Sequence, residues 1–418
     1  MQMPKIKNSL VYQLKDPLIK NGIHLISATF LTSALGFLFW YIAAKSYPPT
    51  QVGLASAAIS SLNLLVLFSL LGFNISLIRF LPSSSRRETI MNSCFTLSFI
   101  MSVAMSAIYL IVLSYLSPDM LFLKKNVIYE ISFIGFAGIW SITTLISSVL
   151  ISNRTAEYVL LKEFIFGLSK IPIPILLSSA GAVGIFFSWG IGLTFSIIIG
   201  FFFLLKINPS YRPRATIDIE TISNIFYFSS SNHVANLFYM APALILPSMI
   251  ATLLSPDFAA YFYISWMIAN LLFAIPVQAS QSLFAEGSNK EDSADSVTIK
   301  SAKFILMLLV PSVVFILIVG DKLLLLFGKG YSDQGFGLLQ LLAISAIPYS
   351  IESIFVANKR IKKKNMIVIF IYGLLAIITI VGSYILLDKV GLIGVGFAWL
   401  TGNMIIVSLL GLSFLNRK

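Results

Sequence analysis

The sequence predicts an all-α integral membrane protein with twelve transmembrane helices, arranged as two parallel six-helix repeats. Three observations carry this reading: the composition, the spacing of the apolar segments, and an internal repeat of about half the chain. The 418 residues are 57% hydrophobic and 11% charged, with a mean hydropathy of +0.91. A soluble protein carries roughly 25% charged residues. Cys94 is the single cysteine, so no intrachain disulfide and no cysteine metal site can form. His24 and His233 alone do not make a zinc site. No GxxxxGK[ST] phosphate loop occurs, which argues against an ATPase within the chain.

A bilayer core takes about 20 apolar residues per helix. Twelve segments meet that length, at roughly 22–44, 53–80, 90–116, 128–151, 161–180, 183–205, 224–250, 258–283, 302–320, 336–357, 365–387 and 391–414. An even number puts both termini on one side. Of the 29 Lys and Arg, 22 fall on the side of the termini and 6 on the other, with Lys170 left between them. Basic loops stay cytoplasmic, so both termini are expected inside a multi-pass protein of the cell (plasma) membrane. The same distribution accounts for the net charge of +12 without nucleic acid. Runs such as "NKRIKKK" (358–364) orient the chain and meet anionic membrane lipids. The expected organisation is a basic cytoplasmic N-terminus (1–21), an N-lobe (22–206), a cytoplasmic linker (207–223) and a C-lobe (224–418). The longest external loop is expected to run from Gly320 to Gly335, and 286–300 reads as a polar cytoplasmic linker. The first apolar segment reads as an uncleaved span.

The repeat is visible in "GAVGIFFSWGIG" (181–192) and "GLIGVGFAWLTG" (391–402). Gly181/Gly391, Gly184/Gly394, Phe187/Phe397, Trp189/Trp399 and Gly192/Gly402 match without a gap. "ISSVLISNR" (146–154) matches "IESIFVANK" (351–359), and Pro49/Pro256, Asn63/Asn270 and His24/His233 follow at similar spacing. Each half has six spans, so the halves share one orientation and are related by an axis along the membrane normal. Parallel repeats of this kind place a substrate path between the halves.

Two longer stretches carry a family resemblance. "SYPPTQVGLASAAISSLNLLVLFSLLGFNISLIRFLP" (46–82), with Pro49, Gly53, Gly72–Phe73 and Arg79, resembles the first external loop and second span of polysaccharide exporters. "LLLLFGKGYSDQGFGLLQLLAISAIPYSIESIFVANKR" (323–360) resembles their ninth-to-tenth span region. The chain is similar to the O-antigen-type oligosaccharide flippases of the multidrug/oligosaccharidyl-lipid/polysaccharide exporter superfamily. The resemblance implies a V-shaped, two-lobe exporter. It would flip polyprenyl- or dolichyl-(pyro)phosphate-linked oligosaccharide by alternating access, for surface polysaccharide synthesis, in association with glycan-assembly enzymes. The major facilitator architecture also has six plus six spans, but the loop "LPSSSRRET" lacks its GxxxDRxGRR pattern.

Polar groups within the spans are the candidates for function. Lys170 in "GLSKIPIPIL" lies about 10 Å from Glu163 along a helix, and Glu352 about 9 Å from Asn358, which places both at one depth from one face. Lys170 either snorkels or lines a wet path. Pro172 and Pro174 favour the second, because they free the carbonyls of Leu168 and Lys170 for other partners. In the path reading Lys170 attracts the substrate's pyrophosphate, and Glu352 pairs with Lys170 or carries a coupling cation, Na+ or H+. No other cofactor is expected. Arg79 reads as interfacial or as a second phosphate contact. Asn63, Asn270, Asn232, His233, Asn236, Gln278 and Gln281 line the path or join helices by hydrogen bonds. His24 and His233 lie near inner span ends. Pro242 and Pro247 are expected to bend the seventh span, and Pro276 the eighth.

An ion-coupled exporter of cationic or amphiphilic drugs is the rival reading, and it should prefer buried acids. A membrane glycan polymerase is a third, but it would need a large external loop carrying acids or arginines. Neither a catalytic residue nor a metal site is expected.

Overall fold

The computed structural model describes residues 17–287, 294–362 and 364–415. Among these it contains helices and turns and no strand. Twelve helical segments follow one another: α1 (Pro17–Ser46), α2 (Pro49–Ser69), α3 (Arg87–Leu116), α4 (Val127–Ser152), α5 (Ala156–Lys170), α6 (Ala182–Ile207), α7 (Ile219–Leu253), α8 (Pro256–Gly287), α9 (Ala294–Leu325), α10 (Lys329–Ile361), α11 (Asn365–Val390) and α12 (Ile393–Leu415). Among the described residues, ten helices are long and apolar enough to cross a membrane by themselves. The 30-residue α1 and α5 with its broken continuation complete the set. Large apolar side chains such as Ile111, Ile131, Met307, Ile318 and Phe370 point outward, as lipid contact requires.

Three helix ends depart from the expected segments, each for a local reason. Segment 53–80 is not one helix. Leu71 and Gly72 take φ of 50° and 79°, and a short helix, Phe73–Phe80, restarts beyond them. The left-handed turn needs a glycine, which Gly72 supplies. Segment 161–180 begins earlier, at Ala156, and breaks at Lys170, before Pro172 and Pro174. The expected loop Gly320–Gly335 shrinks to residues 326–328, because the run "LLLLF" continues α9 and Gly328 (φ 142°) turns the chain directly into α10. Likewise 294–300, expected as linker, is the first part of α9, while 288–293 lie outside the described residues. Pro242, Pro247, Pro276, Pro311 and Pro348 all sit inside helices that continue past them.

The repeat holds at the level of backbone geometry. Gly181 and Gly391 adopt φ/ψ of 60°/−144° and 66°/−151°, a region open essentially to glycine alone. Each accepts the same turn hydrogen bond, from Gly184 N at 2.9 Å and from Gly394 N at 3.0 Å. A Cβ on Gly184 would strike Leu177, and one on Gly394 would strike Leu386.

Helices α1–α6 form one lobe and α7–α12 the other, and α2 is the helix that joins them, packing on both α7 and α8. Its buried face is built of Gly53, Ala55, Ser56, Ala57, Ala58, Ser60 and Ser61. Small residues let helix backbones approach where no hydrophobic drive exists between helices. The approach is closest where α2 and α8 begin. A Cβ on Gly53 would fall 1.6 Å from the Pro256 carbonyl oxygen, and Thr50 Oγ1 donates to Asp257 Oδ1 at 2.9 Å. Thr50 and Asp257 stand in the same repeat register as Pro49 and Pro256. Contact between equivalent residues places the pseudo-two-fold axis at this junction. Further contacts at that end are aromatic: Trp40 on Tyr263 at 4.5 Å between ring centroids, and Phe37 on Phe327 at 5.2 Å.

Candidate functional site

The N-lobe interior is built from one face of α5 against one face of α6. Lys162, Phe166 and Lys170 recur every fourth residue on α5, and Gly192, Ser196 and Gly200 do so on α6. At that spacing each set forms a single stripe. The glycines give the lysine stems their room. A Cβ at Gly192 would sit 3.2 Å from Lys170 Cβ, and one at Gly200 would sit 3.4 Å from Lys162 Cδ.

Lys162 is 1% exposed. Its Nζ pairs with Glu163 Oε1 at 2.8 Å and reaches Ser196 Oγ at 3.4 Å and the Thr143 carbonyl at 3.5 Å. Sequence reasoning counted this lysine among the basic residues of the inner surface. The structure corrects that, because α5 starts six residues before it. The matched stripes of α5 and α6 were the available signal.

Lys170 is 2% exposed and does not snorkel. Its Nζ lies 3.9 Å from the ring centroid of Trp189, 4.2 Å from that of Phe166 and 5.0 Å from that of Phe39. An ammonium over a ring face gains about 0.5–2 kcal/mol. Among the described residues no carboxylate lies within ion-pair distance of it. The helix break beyond it leaves little unsatisfied backbone. Ile171 N–H donates to the Leu168 carbonyl, and the Tyr47 hydroxyl donates to that of Pro174 at 2.7 Å. The carbonyl of Leu168, which Pro172 cannot serve, thus takes a protein partner.

Glu352 is fully buried in the C-lobe, and neither carboxylate oxygen meets a hydrogen-bond partner. Tyr349 precedes it on α10, and Tyr239 on α7 packs against Tyr372 on α11 with 5.1 Å between ring centroids. The hydroxyls of Tyr239 and Tyr349 hydrogen-bond each other at 3.0 Å. The expected pairing of Lys170 with Glu352 is absent. A buried carboxylate with free oxygens suits a proton or a monovalent cation. Among the described residues no three His, Cys, Asp or Glu side chains gather to hold a metal ion.

The remaining candidates are scattered. Arg79 is exposed at the end of Phe73–Phe80, its guanidinium over the Phe80 ring. Asn63 is half-buried on α2, and Asn270 is exposed on α8. His233 is buried on α7 with Nε2 unpartnered, and Asn236 donates to Met240 Sδ at 3.8 Å. The side chains of Asn232, Gln278, Gln281 and His24 lie outside the described residues.

Comparison with solved structures sets this arrangement in context. The chain aligns with the lipid II flippase MurJ in an inward closed conformation at a TM-score of 0.75 and 16% identity, over 94% of this chain and 87% of that one. It aligns with an outward-facing multidrug resistance MATE family transporter of the MOP superfamily at 0.66 and 15%, over 94% and 93%. A MOP superfamily transporter from Pyrococcus furiosus, described as having a binding pocket of reverse polarity, aligns at 0.63 and 14%, over 94% and 93%. The chain has the fold of these transporters. No family model and no curated protein matches it in sequence.

The shared fold agrees with twelve transmembrane helices in two lobes. Within it, the functional residues that sequence reasoning missed are the aromatic neighbours of the two buried charges: Phe39, Phe166 and Trp189 in one lobe, and Tyr239, Tyr349 and Tyr372 in the other.

Proposed function

We propose that this chain is a flippase for an anionic lipid-linked oligosaccharide, carrying a polyprenyl or dolichyl (pyro)phosphate across the cell membrane by alternating access. The observation that carries the reading is the sign of the buried charge in the N-lobe. Lys162 and Lys170 line one stripe there, and among the described residues no carboxylate comes within ion-pair distance of Lys170. A transporter of cations would need acids in that position. An anionic headgroup would instead supply the counter-charge that Lys170 lacks. Phe39 sits beside Trp40, which touches Tyr263 of the opposite lobe. Parting the lobes at that contact would loosen the ring cover and expose the ammonium to the path. The likeness in fold to the lipid II flippase MurJ supports the same direction.

One observation favours the drug-exporter reading. Glu352 is a buried acid without a partner, which suits a cationic substrate. In the flippase reading the same carboxylate carries the coupling ion, H+ or Na+. The inside placement of both termini and any association with glycan-assembly enzymes belong to this proposal as well.

The test is the pool of lipid-linked oligosaccharide in a strain deleted for this gene, measured by mass spectrometry. The flippase reading expects the complete carrier-linked glycan to accumulate and surface polysaccharide to be lost. An unchanged pool with new sensitivity to cationic drugs overturns it in favour of drug export.

A further inference from the structure

The segment between the lobes, residues 208–218, has no regular secondary structure, yet Tyr211, Arg212, Arg214 and Asp218 are hydrogen-bonded to Asn92 and Ser93 of the N-lobe. Asn92, near the start of α3, is the main attachment. Its amide donates to the Arg212 carbonyl at 3.1 Å, and its Oδ1 accepts from the Tyr211 hydroxyl at 2.7 Å and from Arg214 N at 3.2 Å. Three of the four hydrogen-bond positions of one amide side chain are thus spent on this segment. The next residue continues the seam, with Ser93 Oγ accepting from Asp218 N at 2.9 Å. Tyr211 is 1% exposed, so its ring is packed into the N-lobe. Burial, with the Glu88 carboxylate nearby, pushes the Tyr211 hydroxyl above its ordinary value, so it remains a donor in neutral and alkaline solution.

The character of the contacts changes just beyond Asp218. Asp218 caps α7 by accepting from Thr221 N at 2.8 Å, and the helix then crosses into the C-lobe. Over its first turns α7 is tied to the N-lobe where Ser76 Oγ donates to the Ile225 carbonyl at 3.3 Å. Beside that tie lies a cleft of about 290 Å³, lined on one side by Phe80, Ser84, Arg86 and Ile90 and on the other by Glu220 and Ile225.

We infer that residues 211–218 are a strap belonging to the N-lobe, and that the lobes turn relative to each other about the first turns of α7, directly after the Asp218 cap. Asn92 is the positioning residue that holds the strap still. The chain connection between the lobes is then not a slack tether. It delivers α7 at a fixed point, so lobe rotation becomes a change in the first turns of one helix, opening or closing the adjacent cleft. This rests on the alternating-access part of the proposed function, not on the substrate.

The test uses spin-label distance measurements on the full chain in lipid nanodiscs, at acidic and alkaline pH and with sodium or potassium, without substrate. Cys94 is first replaced by alanine. Labels are placed pairwise at Ser85→Cys on the N-lobe, Arg214→Cys on the strap and Lys362→Cys on the C-lobe. The strap-to-N-lobe distance should stay single and narrow in every condition. The strap-to-C-lobe and N-lobe-to-C-lobe distances should split into two populations that shift together. Asn92→Ala should broaden the strap-to-N-lobe distance, and Asn92→Asp, which keeps the acceptor for Tyr211 and Arg214, should largely restore it. A strap-to-N-lobe distance that splits while strap-to-C-lobe stays narrow overturns the inference, as does an Asn92→Ala strap as narrow as the parent. All three distances staying single would overturn alternating access itself. A strap that moves with the C-lobe would leave alternating access standing.

Discussion

Replacing Lys170 with methionine keeps most of the unbranched stem and removes the ammonium. Two opposing quantities decide its effect on folding. The three ring contacts are lost, each about 0.5–2 kcal/mol. The cost of holding a buried, unpaired charge is also removed, several kcal/mol in real proteins. These are of similar size, so thermal unfolding in detergent should change by no more than about 2 kcal/mol in either direction. Transport should respond very differently. If the ammonium meets the substrate phosphate, losing a charge-assisted contact in a low-dielectric path should slow flipping at least about tenfold. Flipping is followed by accessibility of the lipid-linked glycan in reconstituted vesicles, beside thermal unfolding of the same preparation. Flipping by Lys170→Met within about twofold of the parent would remove Lys170 from the substrate path. A collapse in folded yield would make the ammonium a structural group instead. Lys170→Thr is the second variant, because the C-lobe already carries threonine at the equivalent place.

Other expectations follow from the same geometry. Gly53→Ala puts a methyl into the Pro256 carbonyl, an overlap that backbone cannot absorb cheaply; thermal unfolding should show a loss of about 1–3 kcal/mol, and labels on α2 and α8 should show the lobe junction widened. Glu352→Gln removes an unpartnered buried charge and should raise stability at neutral pH in thermal unfolding; if Glu352 carries the coupling ion, the variant should also lose any sodium- or proton-dependent stabilisation. Asp218 is held below its ordinary value, first by the backbone hydrogen bond from Thr221 and then by its side-chain contact to Thr221, with a smaller contribution from Arg86. Its cap therefore contributes stability that is fully present above the ordinary carboxylate value and is lost as pH falls through the lowered one. Asp218→Asn should flatten that acidic limb in a pH series of unfolding curves.

Much of the fold was legible in the sequence because its signals are local. Twelve apolar runs, the glycines of 181–192 and 391–402 and the prolines after Lys170 each act within a few residues. The ends of α5, α9 and α10 were harder. Hydropathy marks where a helix is apolar, whereas α5 carries Glu157 in its first turn, α10 starts with several polar residues and α9 is helical from Ala294. That shift hid Lys162, which looks interfacial in the sequence but lies two turns inside the lobe. The site was less legible still. Whether Lys170 meets Glu352 or three rings depends on the register of α1, α5 and α6, which no single segment encodes.

The repeat itself supplies an argument about where function lies. Gly192 faces Phe166 and Lys170, and its partner Gly402 faces Leu375 and Thr379. Lys170 therefore occupies the place of Thr379, while the match of 146–154 with 351–359 sets Glu352 opposite Ser147. At both places one lobe carries a buried charge and the other a hydroxyl. A scaffold that folds with threonine and serine at these points does not require lysine or glutamate there to fold. Both charges add a desolvation cost to a position that the other lobe fills without one. Lobe-specific charge on a shared scaffold is what an asymmetric task requires. In the proposed flippase the cationic lobe meets the lipid phosphate and the acidic lobe takes the coupling ion. Exchanging the pairs, Lys170→Thr with Thr379→Lys, would test whether the charge must sit in the N-lobe. A variant that folds but does not flip would tie the function to the lobe, and one that flips normally would break that tie.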